Sequence, residues 1–409
     1  MKELLFLAHR IPYPPNKGDK IRSFYLLKHL SRHFRVHLGA FVDDPDDWKH
    51  VEALSGMVSG ELKLLPLQAG AAKLRSAKGL FSGEPLTLPY YHDDAMQDWI
   101  AHLIAARPIR QAVVFSSAMA QYLEAYPDIG RIVDFVDIDS DKWRQYAERK
   151  AWPMNWVYRR EARTLLEYER HIAASFAAAT FVSSAEAELF KQLAPECAGH
   201  VGYYNNGVNL DYFSANWEFD NPYPQGQRTL VFTGAMDYWA NVDAVSWFAR
   251  EVMPALRRRF ADLHFYIVGS RPTAEVQTLA GEGITVTGSV PDVRPYIAHA
   301  AISVAPLRIA RGIQNKVLEA MAMSKPVVVS PQALEGITAD TAHELILAED
   351  AAAFIALISA QLTEPDAAIG LAARRCVERL YSWDTSLGRL DALLGVTPED
   401  TGGWTTDGA

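Results

Sequence analysis

Short apolar runs alternate with longer stretches of helical periodicity along almost the whole chain. The runs at 4–8, 36–41, 62–67, 112–115, 132–136 and 180–183 are bounded by polar or turn residues and read as buried strands. Between them, apolar residues recur three and four apart at 23–33, 95–106 and 158–176, which predicts helices. The pattern restarts after a stretch rich in Asn, Pro and Gly at 216–227. Strands are then predicted at 229–232, 264–268, 284–286, 302–305, 327–329 and 344–347, and helices at 243–260, 273–280, 314–323, 351–362 and 366–381. Strand–helix alternation of this kind makes parallel sheets covered by helices. The expected fold is α/β, two doubly wound Rossmann-like domains facing a cleft. The first spans residues 1–205 and the second 206–375. Residues 376–396 are expected to form C-terminal helices returning to the first domain, and 397–409 a loose tail.

Composition narrows the function. The chain has 409 residues and a formal net charge of -9, which argues against nucleic acid as a partner. Two cysteines, Cys197 and Cys376, imply neither a disulfide framework nor a cysteine metal site. No apolar run reaches the length of a membrane span, and the N-terminal run lacks a signal-peptide pattern. The expected location is the cytoplasm, with a peripheral place on the inner face of the cytoplasmic membrane as the alternative.

In open α/β sheets ligands bind beyond the carboxyl ends of strands, over helix N-termini. After the strand at 302–305 come Arg308, Arg311, Gly312, Ile313, Gln314, Asn315, Lys316 and Glu319. This reads as a strand, a glycine turn and a helix starting near Ile313. The helix N-terminus offers free N–H groups and partial positive charge. Lys316 in its first turn is disfavoured unless an anion offsets it, and Arg308 and Arg311 add two cations. Three cations there point to a diphosphate. Glu319, on the same helix face, can accept from both hydroxyls of a ribose. The segment reads as a grip for a nucleoside diphosphate; the alternative is a surface helix with an internal Lys316–Glu319 pair.

This segment resembles the family-4 glycosyltransferases of GT-B fold. Their Glu, seven residues, Glu signature runs on into Ala-Met-Ala, Pro and a valine strand. Glu319-Ala320-Met321-Ala322 and Pro326-Val327-Val328-Val329 match its second part. The first Glu of the signature falls at Arg311, so contacts to the transferred sugar do not carry over. Asn205-Asn206-Gly207-Val208-Asn209 is similar to the family's entry to its second domain. Thr233-Gly234-Ala235-Met236 and Ile267-Val268-Gly269-Ser270 are similar to its glycine turns. The stretch Asp237 to Asn241 lacks the basic pair many members carry there. Met236-Asp237-Tyr238, Asn241, the run from Arg311 to Lys316 and the opening Ile11 to Lys20 are similar to the sugar transferases associated with exosortase (PEP-CTERM) systems. The resemblance implies a donor site of Gly18, Gly234, Gly269, Gly312, Ile313, Gln314, Asn315, Lys316 and Glu319. It also implies retention of anomeric configuration.

On the acceptor side, Asp134, Asp137, Asp139 and Asp141 follow the strand at 132–136. Asp137 or Asp139 is a candidate to bond the attacking hydroxyl; capping of the next helix is the equal alternative, and a metal site ranks below both. Ser116 and Ser117 are further candidates, whereas His9 and His92 read as structural or surface residues. Basic residues interleaved with apolar ones at 73–81, and with Trp143, Trp152 and Trp156 at 144–163, suit either an anionic lipid surface or two solvated amphipathic helices.

The expected function is transfer of a sugar from a nucleotide-sugar donor, UDP- or GDP-linked, to a glycan or polyprenyl-linked acceptor in exopolysaccharide biosynthesis. Arg308, Arg311 and Lys316 would stabilise the leaving phosphate, with Asp137 and Asp139 at the acceptor, and with no metal or other cofactor. The rival readings are a GT-B-like epimerase and a non-catalytic scaffold that binds the nucleotide sugar.

Overall fold

The computed structural model describes residues 1–15, 18–148, 150–310 and 312–396. Arg311, the segment 397–409 and the neighbours Asn16 and Lys17 lie outside them. The chain divides into two compact units. Unit 1 is Met1–Asn205 with the chain from Leu387 onward, and unit 2 is Asn206–Ser386.

Unit 1 is built on seven strands: β1 (Lys2–Ala8), β2 (Phe34–Val42), β3 (Leu62–Pro66), β4 (Gln111–Phe115), β5 (Gly130–Val136), β6 (Ala178–Phe181) and β7 (Val201–Tyr203). All pair in parallel, in the order β3-β2-β1-β4-β5-β6-β7. Leu4 to Ala8 are fully buried, because helices cover both faces of a parallel sheet. Sequence pattern missed β7, which is three residues long and contains Gly202, too short for any period to register.

Unit 2 has six parallel strands: β8 (Arg228–Thr233), β9 (Leu263–Val268), β10 (Ile284–Gly288), β11 (Ile302–Ala305), β12 (Val327–Val329) and β13 (Ile346–Leu347). Their order is β10-β9-β8-β11-β12-β13. All six were legible as apolar runs. The helix expected over 243–260 is interrupted. It runs Trp239–Trp247, widens into a π turn at Phe248–Val252, and resumes at Met253–Arg259. Pro254 explains the break, since it has no N–H to give the preceding turn.

Strand order reverses once in each sheet, between β1 and β4 in unit 1 and between β8 and β11 in unit 2. At such a reversal the connections leave in opposite directions and open a crevice at the carboxyl ends. The residues that follow β1, β4, β8 and β11 are therefore the ones the fold presents to a ligand.

One buried ion pair frames unit 1. Arg22 is fully buried in the helix Gly18–His33. Its Nε lies 2.8 Å and its Nη2 3.0 Å from the two carboxylate oxygens of Asp134, and its plane stacks 3.6 Å from the Tyr204 ring. The Tyr204 hydroxyl also donates to Asp134. Asp134 is thus taken up by the core, which removes it from the acidic cluster read in the sequence.

Candidate functional site

The unit 2 site begins with three glycine turns at the ends of adjacent strands. Gly234 follows β8, Gly269 follows β9 and Gly288 ends β10. Their amides tie the turns together: Gly234 N donates to Val268 O at 3.0 Å and Gly269 N to Gly288 O at 3.2 Å. Gly269 has φ of 157°, and a Cβ there would stand 1.6 Å from the Gly234 carbonyl oxygen. A Cβ on Gly234 would meet the Asn241 amide nitrogen at 2.8 Å. Only glycine permits this packing, which leaves a floor of bare backbone.

The helix after β11 forms the facing wall. It runs Asn315–Ala322, two residues later than Ile313, with Lys316 in its first turn. Gly312, at φ of 65°, turns the chain into it. Among the described residues no side chain caps its N-terminus, and Gln314 Nε2 donates to Gly312 O at 3.2 Å. The concavity has a volume of about 660 Å³. Gly234, Gly269, Ile313, Gln314, Asn315, Lys316 and Glu319 line it, as do Asn241, Ser270 and Ser289.

Lys316 and Glu319 do not pair as on a surface helix. The Lys316 ammonium donates to Asn241 Oδ1 at 2.9 Å and lies 5.1 Å above the Phe232 ring. Asn241 Nδ2 donates to Ala235 O at 2.9 Å. Burial lowers the Lys316 ammonium to about 8, against the attraction of Glu319. Burial raises the Glu319 carboxyl to about 7, against the attraction of Lys316. Both groups are mostly covered and both line the concavity. A cation and a carboxylate held this way, each short of charge partners, suit a ligand that carries an anion and hydroxyls.

Arg308 stands apart. Its guanidinium makes a bidentate contact with Asp243, with Nε 2.9 Å from Oδ2, and it does not line the concavity. Arg311 lies outside the described residues. Gly18 opens the first helix of unit 1, with open space where a Cβ would stand. Asn241 is the residue that function-minded reading of the sequence undervalued. The signal was its place on the helix after the first glycine turn, the element that meets the β11 helix across the strand reversal.

Unit 1 carries its own cavity, of about 610 Å³, at its strand reversal. His9 after β1, Ser116 after β4, Val136 at the end of β5, and Asp137 and Asp139 beyond it line the cavity, with Tyr90, Tyr91, Trp143 and Tyr158. His9, expected to be structural or at the surface, stacks on Phe115 at 5.7 Å and lies 3.7 Å from Asp19. Arg10 and His9 hold the Asp19 carboxyl well below the usual range, against burial. Ser116 has φ of 83° and Val136 of 70°. A β-branched residue in that region is a true outlier, and such strain concentrates at ligand sites.

Capping does not account for the aspartates. The helix there spans Asp139–Glu148, and its leading amides are taken by glutamates. Ile138 N donates to Glu186 at 3.2 Å and Ser140 N to Glu169 at 3.3 Å. Asp137 and Asp139 pair with Lys142 at 2.8 and 3.1 Å, while Asp141 pairs with Arg144 at 2.7 Å. Asp137 and Asp139 thus face the cavity, whereas Asp134 and Asp141 are engaged elsewhere. His92 contacts Asp94 at 3.2 Å at the surface.

Comparison with known proteins fits this geometry. Residues 227–364 match the family model for glycosyl transferases group 1. No curated protein matches the sequence. Among solved structures, sucrose-phosphate synthase (tll1590) from Thermosynechococcus elongatus superposes with a TM-score of 0.64 at 18% identity, over 96% of this chain and 98% of that one. A glycosyltransferase from Rickettsia africae ESF-5 gives 0.66 at 14% identity, over 97% and 98%. Anabaena Alr3699/HepE, solved with UDP, gives 0.63 at 13% identity, over 97% and 100%. The chain is a glycosyltransferase of GT-B fold whose second unit carries a glycosyl transferases group 1 domain.

Proposed function

We propose that the unit 2 concavity binds the nucleoside diphosphate of a sugar donor, with the phosphates over Lys316 and the helix N-terminus and the ribose on Glu319. One observation carries this reading. Lys316 and Glu319 stand a turn apart in the lining of a concavity that admits no Cβ at Gly269. That spacing matches a diphosphate next to a ribose. HepE was solved with UDP, which supports a UDP-sugar ahead of a GDP-sugar.

As the sugar–phosphate bond breaks, charge grows on the leaving phosphate. Lys316 and the first-turn N–H groups are already oriented to stabilise it, without a metal ion. Bound phosphate further favours the charged ammonium of Lys316. Arg308 joins them only by leaving Asp243. Retention of configuration is the expected stereochemistry.

The unit 1 cavity suits the acceptor. Its aromatic walls can stack on a sugar ring, and Asp137 or Asp139 can accept from the attacking hydroxyl. Nearby, Trp152 is 80% and Trp156 56% exposed, beside Lys150 and Arg159. Such a patch suits an anionic lipid surface and thus a polyprenyl-linked glycan, as in exopolysaccharide assembly. No helix among the described residues is long and apolar enough to cross a membrane.

A thermal-shift series with UDP, GDP and ADP, each alone and sugar-linked, tests the reading, since a bound ligand raises stability. A rise with one nucleoside diphosphate and its sugars is expected. No rise with any of them contradicts it.

A further inference from the structure

The helix Gly18–His33 ends in unit 1 with three metal-ligand side chains close together. His29 and His33 are one turn apart and share a helix face. Asp391 approaches from the returning chain, with its Oδ1 2.7 Å from His29 Nε2. The two imidazole centroids are 5.2 Å apart. One ligand atom from each of the three residues lies within 4.8 Å of the other two. His29 is 5% exposed, and Nδ1 of both His29 and His33 is buried with no hydrogen-bond partner. Two orphaned imidazole nitrogens in one partly buried cluster are costly unless something fills the gap.

We propose that His29, His33 and Asp391 bind a divalent transition metal ion, zinc fitting best, as a clamp between the first helix and the returning chain. Two imidazoles and a carboxylate are a zinc donor set. Ligand atoms of a tetrahedral zinc stand about 3.4 Å apart, within reach of small side-chain adjustments from the observed spacing. The site lies at the C-terminal end of the helix, where the backbone dipole favours a cation. A cavity of about 380 Å³ reaches His33, though neither His29 nor Asp391 lines it. None of the three ligands lines the donor concavity or the unit 1 cavity.

The test uses the full chain without a histidine tag, stripped by chelator and titrated with Co²⁺. Saturation at one ion per chain is expected, with the visible bands of tetrahedral cobalt, displacement by Zn²⁺ and a raised melting temperature. His33→Ala should weaken Co²⁺ binding at least tenfold and abolish the zinc-dependent rise, while leaving the metal-free melting temperature and UDP binding unchanged. Asp391→Asn, which keeps an acceptor for His29, should also weaken the metal. Absence of saturable Co²⁺ binding overturns the proposal and leaves a plain His29–Asp391 contact. So does wild-type binding in both variants.

Discussion

The Lys316 ammonium lies 2.9 Å from the Asn241 side-chain oxygen, and this bond ties the helix after β11 to the glycine turn after β8. Asn241 in turn donates to the Ala235 carbonyl, so the cation is held by a group that is itself held. Asn241→Ala should free Lys316 and weaken UDP binding by about 5–30-fold, the equivalent of roughly 1–2 kcal/mol. The melting temperature should change little. Asn241→Asp should weaken UDP too, because a carboxylate then competes with the phosphate for the ammonium. Calorimetry on both variants checks this.

Lys316 and Glu319 make donor binding pH-dependent in two directions. Glu319 is raised to about 7, so the ribose acceptor is lost as pH falls through that value. Lys316 is lowered to about 8, so the phosphate cation is lost as pH rises through that value. Affinity for UDP should therefore peak between them. Because the donor draws both groups into their charged forms, binding should release a proton near pH 6 and take one up near pH 9. Glu319→Gln should flatten the acid limb and Lys316→Met the alkaline one. A pH-independent affinity would contradict the pairing.

The glycines divide into those the backbone requires and one, Gly18, with open space where a Cβ would stand. Gly269→Ala places a Cβ 1.6 Å from the Gly234 oxygen at a φ few side chains adopt. It should destabilise unit 2 by about 3 kcal/mol or more, or prevent folding. Gly18→Ala meets nothing within 4 Å and should leave stability within about 1 kcal/mol of wild type. Any loss of donor turnover in that variant is then functional. Thermal melts and initial rates separate the two cases.

The aspartates after β5 should separate in the same way. Asp134→Asn leaves Arg22 buried without its counter-charge and should cost about 3–5 kcal/mol. Asp137→Asn affects a partly exposed pair with Lys142 and should cost less than about 1 kcal/mol. If Asp137 bonds the acceptor hydroxyl, that variant loses transfer but keeps UDP binding. Denaturant titration alongside a transfer assay resolves both.

Much of this was legible in the sequence, for reasons the structure makes clear. Buried parallel strands are short and largely apolar, so twelve of the thirteen were readable from runs such as 4–8 and 327–329 within a residue or two, and only β7 was missed. Lys316 and Glu319 stood out because a cation in a helix's first turn calls for an explanation. What could not be read was pairing across the chain. The acidic run after β5 is uniform in sequence, and only Arg22, 112 residues away, distinguishes Asp134 from Asp137. Arg308 looked free because Asp243 lies 65 residues before it. His9 carried no signal, since the aromatic wall it joins is assembled from Phe115 and Tyr91.

The central claim is that Lys316 and Glu319 grip the two ends of a nucleoside diphosphate. It is tested most directly by titrating UDP and pyrophosphate in parallel into wild type, Glu319→Ala and Lys316→Ala. Glu319→Ala should lose at least tenfold in UDP affinity and little in pyrophosphate affinity, while Lys316→Ala should lose both. UDP affinity unchanged in either variant would contradict the account.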